Sequence, residues 1–273
     1  MKNTLKEKLA RGENPVGTFF ELGGMSVVEA LGRTGLDFII IDGEHGPFGA
    51  ESAMDFVRAA EIAGLTPLAR VQETSRSSIL KLLDVGAQGL IVPDVHSAEQ
   101  VRELVDYAKF SPLGKRGFCP SRKDGWGFDY PATEGLETNM AYCNAETLLI
   151  PQCETVGCLE SIEEIAAMDG VDGIFIGPFD LSIAMGMPGR FQHPVFIKAL
   201  ERIRDACHAA GKFCIHFTID PDLVSAGFAF GFDAMTYGLD AMVLIRAFKD
   251  VVSRIRNGAS ASGADGVTPP PRS

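Results

Sequence analysis

The sequence predicts an α/β protein whose strands close into a (β/α)8 barrel. Three observations carry this prediction. Apolar runs of strand length alternate with helix-length amphipathic segments, and the alternation repeats eight times without a break. The 273 residues suit a fold of about 250. Strict βα alternation implies parallel strands joined by right-handed crossovers. The rival, a doubly wound open sheet, carries a glycine-rich phosphate loop after its first strand. Here the first strand runs into ELGGMSVVEA, which fits neither G-x-G-x-x-G nor G-x-x-x-x-G-K-[ST].

The elements follow in order. MKNTLKEKLARGENP reads as a short charged helix, without the apolar stretch of a signal peptide. Strands are expected at 16–22, 37–42, 66–70 and 89–92, then at 147–154, 173–176, 212–217 and 233–237. Most are bare apolar runs such as FIII, GLIV and GIFI, as expected for strands covered on both faces. Helices fall between them at 26–33, 50–63, 77–84 and 98–110, then at 158–168, 194–210, 221–230 and 241–256. Residues 111–146 stand outside the alternation as a Gly- and Pro-rich insertion of the kind used for lids, binding loops or subunit contacts. One barrel domain therefore spans 1–256, and 257–273, NGASASGADGVTPPPRS, reads as a flexible low-complexity tail.

Composition narrows the partners. A formal charge of −11 repels phosphate backbones and anionic headgroups. The densest basic cluster, Lys115, Arg116, Arg122 and Lys123, is interrupted by Gly and Pro. No apolar run approaches the ~20 residues of a membrane span. Nucleic acid and membrane are therefore not expected partners. The six cysteines show no Cys-x-x-Cys or zinc spacing and read as reduced thiols of a cytoplasmic protein.

In such a barrel the active site lies at the C-terminal strand ends. DFIIIDGEHGPF places Asp42, Glu44 and His45 there, PLAR places Arg70, LLIPQCE places Gln152 and Glu154, and GIFIGPFD places Asp180. Glu154 and Asp180, with a neutral Gln and waters, suit an oxygen-loving divalent ion such as Mg²⁺ or Mn²⁺; alternatively Asp180 caps the following turn and Glu154 pairs with a lysine. Asp42 could orient the His45 imidazole as a general base; alternatively His45 is satisfied in a turn, or Asp42 caps the next helix. The Arg70 fork suits a carboxylate or enolate, or an ion pair with Glu44. Backbone N–H groups of Phe179 and Asp180 favour a substrate carboxylate. His96, His193 and His208 read as structural, and His216 as the remaining one of interest. No lysine ends a predicted strand, which disfavours a Schiff base.

These segments resemble the HpcH/HpaI family of metal-dependent (class II) 2-oxo acid aldolases, of the 4-hydroxy-2-oxoheptanedioate aldolase type. The shared stretches are DFIIIDGEHGPF, PLARV, LLDVGAQGLIVPDV, SPLGKRG, the Q-x-E strand end and GVDGIFIGPFDLS, in order across residues 4–256. The resemblance implies a phosphoenolpyruvate/pyruvate-type TIM barrel with an exchanged C-terminal helix, commonly a homohexamer. It implies Glu154 and Asp180 as ligands of Mg²⁺, Mn²⁺ or Co²⁺, Arg70 on the 2-oxo acid, and His45 with Asp42 as the acid–base pair. Gln152, Gly177, Phe179 and Asp180 would complete the pyruvate pocket, and Asp84 would reach a neighbouring subunit's site. The implied reaction is reversible cleavage of a 4-hydroxy-2-oxo acid to pyruvate and an aldehyde. Alternatives are other metal–enolate chemistry on this scaffold, such as oxaloacetate decarboxylation or acyl-CoA lyase chemistry, and a non-catalytic binding barrel. The sequence departs from the family pattern at Phe179, where a small residue is common, in the first strand, in the seventh strand with His216, and at Pro151, where a bulge or break is expected.

Overall fold

The structure, a computed structural model, describes residues 2–262. Eight parallel strands close in sequential order into a barrel. They are β1 (Val16–Phe20), β2 (Phe38–Asp42), β3 (Thr66–Arg70), β4 (Gly89–Val92), β5 (Leu148–Cys153), β6 (Gly173–Ile176), β7 (Phe213–Thr218) and β8 (Ala234–Leu239). The helices are α1 (Thr4–Ala10), α2 (Met25–Leu31), α3 (Ala50–Ala63), α4 (Arg76–Asp84), α5 (Ala98–Ala108) and α6 (Leu136–Glu146). There follow α7 (Val156–Glu160), α8 (Ile162–Ala167), α9 (Pro178–Ala184), α10 (Pro194–Ala209), α11 (Asp222–Phe230) and α12 (Asp240–Ser262).

Side chains alternate across each strand, so the strands serve two cores. Phe19, Phe38, Ile40, Leu68, Ile91, Ile150, Phe175 and Ile215 fill the lumen, and Leu5 of α1 joins them. Ile39, Ile41, Ala69, Leu90, Leu149, Ile174 and Cys214 point outward into the helix layer. Both faces are dry, which is why these strands read as unbroken apolar runs. Asn3 holds α1 in place as the plug of the barrel foot. Its side chain accepts from the Lys6 N–H at 3.0 Å and donates to the carbonyls of Gln88 and Glu146, each at 3.0 Å.

The insertion lies between α5 and β5, so it leaves and re-enters at the foot, opposite the C-terminal strand ends. It folds back there: Arg116 pairs with Asp84 at 2.6 Å, Arg122 donates to the Val85 carbonyl at 3.0 Å, and Lys123 donates to Thr147 Oγ1 at 2.7 Å. Within its own chain it is a buttress rather than a lid. It also contains α6, which lacks an apolar stripe and so gave no helical signal.

Other expectations are corrected. β5 runs through Pro151 unbroken, and its registered pairing with β6 begins just beyond the proline, at Gln152. β1 stops at Phe20, leaving Glu21 and Leu22 outside the strand. The helix expected at 158–168 is two, α7 and α8, split at Ser161. α12 continues past residue 256 to Ser262; the rest of the expected tail lies outside the described residues. Among the described residues no helix is long and apolar enough to cross a membrane.

His216 lies on β7 but faces away from the lumen. Its ring stacks on Phe232 at 4.6 Å and 8°, and neither buried nitrogen has a hydrogen-bond partner in the structure. Burial pushes its pKa down to about 4 from 6.5. Between those values the unfolded chain takes up a proton that the folded chain refuses, so stability falls as pH drops below 6.5. The linkage is about 2 kcal/mol by pH 5. Urea unfolding of His216→Phe is expected to show that much less loss between pH 7 and pH 5 than the parent. Equal losses would contradict this account.

Candidate active site

Asp42 and Arg70 end adjacent strands and are register partners on the last rung between β2 and β3. Their side chains form a buried two-point pair: Arg70 Nε donates to Asp42 Oδ1 at 2.9 Å and Nη2 to Oδ2 at 2.6 Å. Nη1 of Arg70 lies 3.0 Å from Glu44 Oε2, and the guanidinium sits 4.6 Å from the centre of the Phe19 ring. Asp42 Oδ1 also accepts the backbone N–H of Glu44 at 3.1 Å and of His45 at 3.4 Å. Burial alone would raise the Asp42 carboxyl, but the Arg70 bonds outweigh it and hold the group below its ordinary range. Removing one partner of such a pair strands a buried charge at a cost of about 3–5 kcal/mol.

This corrects one expectation. Asp42 holds the backbone of the Gly43–Gly46 turn and the Arg70 fork, not the His45 imidazole. The turn is tight enough that a Cβ at Gly46 would meet the Asp42 carbonyl at 2.3 Å. His45 projects into solvent at the mouth, and no described residue hydrogen-bonds its ring.

Across the mouth, Glu154 is 7% exposed. Its Oε1 accepts the Asp94 N–H at 2.8 Å, and its Oε2 accepts from the Gln152 amide. Gly177 leaves the room these groups need: a Cβ there would meet Glu154 Oε2 at 2.7 Å and Gln152 Nε2 at 3.1 Å. Burial raises the Glu154 pKa, the two donated bonds oppose it, and the nearby Asp180 charge raises it further. Asp180 is exposed on the first turn of α9, whose N-cap is Gly177, so it does not cap that helix.

Between these walls opens a cavity of about 300 Å³. His45, Arg70, Gln152, Gly177, Phe179 and Asp180 line it, so the barrel brings together most of the residues expected from the sequence. Asp84 is the exception: it ends α4 at the foot, paired with Arg116. His96, His193 and His208 lie elsewhere; His193 caps α10, and the other two pair with Asp94 and Asp233.

Glu21 also lines the cavity, and sequence reasoning missed it. Burial and the neighbouring Asp42 charge raise its pKa. The expected strand at 16–22 concealed it; ending that strand at Phe20 makes Glu21 the first polar residue at the mouth. Asp240 fixes this corner, accepting the N–H groups of Glu21 and Leu22, each at 3.0 Å.

Five acids thus stand around the mouth: Glu21, Asp42, Glu44, Glu154 and Asp180. Arg70 is the only Lys or Arg lining the cavity, and its pairs are Asp42 and Glu44. Glu154 and Asp180 have no ion-pair partner among the described residues, and the buried Gln152 Oε1 has no hydrogen-bond partner. Among the described residues no group of three His, Cys, Asp or Glu could hold a metal by itself. Two carboxylates and an amide oxygen fit a hard cation that keeps waters or takes oxygens from its substrate.

Known proteins bear on this geometry. The family model for HpcH/HpaI aldolase/citrate lyase matches residues 16–247. The chain is 33% identical over 249 residues to the 2-keto-3-deoxy-L-rhamnonate aldolase of Klebsiella pneumoniae, covering 90% of this chain and 91% of that one. It superposes on the HpcH/HpaI aldolase of Desulfitobacterium hafniense with a TM-score of 0.84 and 31% identity, over 92% of this chain and 96% of the other. Citrate synthase SbnG is also similar, with a TM-score of 0.83 and 26% identity over 94% of this chain and 98% of that one. With aldolases at this identity along almost the whole chain, and the same barrel, the protein is an aldolase-type lyase and belongs to the HpcH/HpaI aldolase/citrate lyase family.

Proposed function

We propose that the chain catalyses metal-dependent, reversible aldol cleavage of a 4-hydroxy-2-oxo acid to pyruvate and an aldehyde. One observation carries this reading: Glu154 and Asp180 share a mouth with Arg70 and a free His45 imidazole, but neither carboxylate has a cationic partner of its own. A 2-keto-3-deoxy sugar acid, the substrate class in the relatives' name, has the required 2-oxo and 4-hydroxyl groups.

Glu154 and Asp180 would hold Mg²⁺, Mn²⁺ or Co²⁺, which supplies a Lewis acid for charge developing on the 2-oxo oxygen. Arg70 has five N–H donors; Asp42 accepts one each from Nε and Nη2, Glu44 is ion-paired with Nη1, and the remaining N–H groups can bind the 2-oxo acid. Asp42 acts as a positioning residue, fixing both the Arg70 fork and the turn that carries His45. The first-turn N–H groups of Phe179 and Asp180 favour the substrate carboxylate. His45 takes the 4-hydroxyl proton as the C3–C4 bond breaks. C4 becomes the aldehyde carbon, and C3 takes up a proton to become the pyruvate methyl. Nothing is oxidised or reduced. No lysine lines the cavity, in keeping with a route that needs no Schiff base. The five buried thiols suit a reducing cytoplasm.

The reading extends to assembly. α12 leaves Val243, Leu244, Ile245, Phe248, Val251, Val252 and Ile255 exposed. Beside it a groove of about 740 Å³ runs along α2 and the start of β1, lined by Val16, Val27, Leu31 and Leu36. An exchanged α12 from a second copy would cover both, in the homohexamer implied by resemblance, and would allow a partner to approach the foot where Asp84 lies.

Two measurements test this. Pyruvate release from 4-hydroxy-2-oxo acids is expected to be abolished by EDTA and restored by Mg²⁺ or Mn²⁺. The exposed, unbonded His45 can be changed without disturbing the fold, and His45→Ala should lose about 100-fold or more in kcat. EDTA-insensitive turnover, or near-normal turnover of His45→Ala, would contradict the scheme. For assembly, light scattering should give a hexamer for the parent and a smaller species for the double variant Phe248→Glu and Ile255→Glu; a monomeric parent would contradict the exchange.

A further inference from the structure

The cavity has two unlike halves. The polar half comes from β2, β3, β5 and the start of α9. The other half comes from the ends of β6, β7, β8 and β1, joined by Phe179 of α9 and by Phe191 beyond it, and there the rings form a continuous band. Phe191 meets Phe179 at 5.1 Å, Phe179 meets Phe217 at 6.1 Å, Phe217 meets Phe19 at 5.5 Å, and Phe19 meets Phe175 at 5.9 Å. All four contacts are edge-to-face or tilted, the geometry in which aromatic groups attract one another. Ile219, Leu239 and Met242 complete this wall.

Phe179 stands at its rim, 39% exposed and next in sequence to Asp180. A substrate anchored at Arg70, Glu154 and Asp180 would therefore turn its C4 substituent toward these rings. There a charged substituent finds no further cation, because Arg70 is the single Lys or Arg of the lining and the 2-oxo acid end already takes its remaining N–H groups. It also meets the carboxylates of Glu21 and Asp180, which line the same space. A hydroxylated substituent would lose water along the Phe band, where no ring replaces its hydrogen bonds, and would find acceptors only in the Glu21 and Asp180 carboxylates. An apolar ring would instead displace water and pack edge-on.

Resting on the aldol reading above, we propose that the aldehyde half of the substrate is uncharged and apolar, of aryl or comparably bulky alkyl type, and that Phe179 and Phe217 select it. The reaction is unchanged: the C3–C4 bond breaks, the hydroxyl proton leaves, C3 is reprotonated, and the released aldehyde carries the apolar group.

The test compares kcat/KM for pyruvate release, with Mg²⁺ or Mn²⁺ present, from three substrates. These are 4-hydroxy-2-oxo-4-phenylbutanoate, 4-hydroxy-2-oxoheptanedioate and a 2-keto-3-deoxy sugar acid. The phenyl compound is expected to exceed both others at least tenfold. Phe179→Ala, and the milder Phe179→Leu in case the first misfolds, should lower the ratio of phenyl to sugar-acid kcat/KM, by tenfold or more for Ala. A parent that prefers the diacid or the sugar acid would overturn the proposal while leaving the aldol reading intact. So would a Phe179 variant that slows all three substrates equally. Cleavage of none of the three would overturn both.

Discussion

The charge of Arg70 is the constraint around which the barrel mouth is arranged. One guanidinium faces the acids of β2, and the closest of them, Asp42, takes two of its nitrogens. Glu44 takes the third. What remains at the mouth is negative: Glu154, held by Gln152 and the Asp94 N–H, and Asp180 one helical turn above β6. Two carboxylates near one another with no cation between them are unfavourable in a partly dry site. Under the proposed function, a divalent ion and an anionic substrate entering together would make the arrangement favourable. The chain's −11 charge is thus compatible with the proposed anionic 2-oxo acid substrate.

The fold was legible wherever a segment answered to a single physical demand. β3, β4 and β6 have their expected bounds because strands dry on both faces read as short apolar runs, closed here by Arg70, Pro93 and Gly177. Most of the candidate site's lining was legible by the same rule, since strand ends at one rim of a closed barrel converge whatever their separation in sequence. The rest depended on partners that no local pattern reveals. The tie from Asp42 to Arg70 spans 28 residues and is fixed by register between two strands. Read locally, the same carboxylate looks like a partner for His45, three residues on. α6 escaped notice because it has no apolar stripe to report a buried face. The insertion could have been placed at the foot from its position alone, since it joins a helix to the next strand rather than a strand to a helix.

The two halves of the cavity belong to different levels of this design. The anchor residues sit where the family motifs sit, on β2, β3, β5 and α9, and under the proposed function they would supply the aldol chemistry. Three members of the aromatic wall, Phe19, Phe179 and Phe217, come from segments where the sequence departs from the family pattern, whereas Phe175 lies in a shared stretch. A reaction common to relatives can thus be kept while the side chain it accepts changes.

The claim most exposed to direct test is that Glu154 and Asp180 bind a divalent ion. Titration calorimetry with Mn²⁺ measures this without turnover. The account predicts one site per chain in the parent, retained in His45→Ala and weakened at least tenfold in both Glu154→Gln and Asp180→Asn. Undiminished Mn²⁺ binding in either carboxylate variant would contradict it.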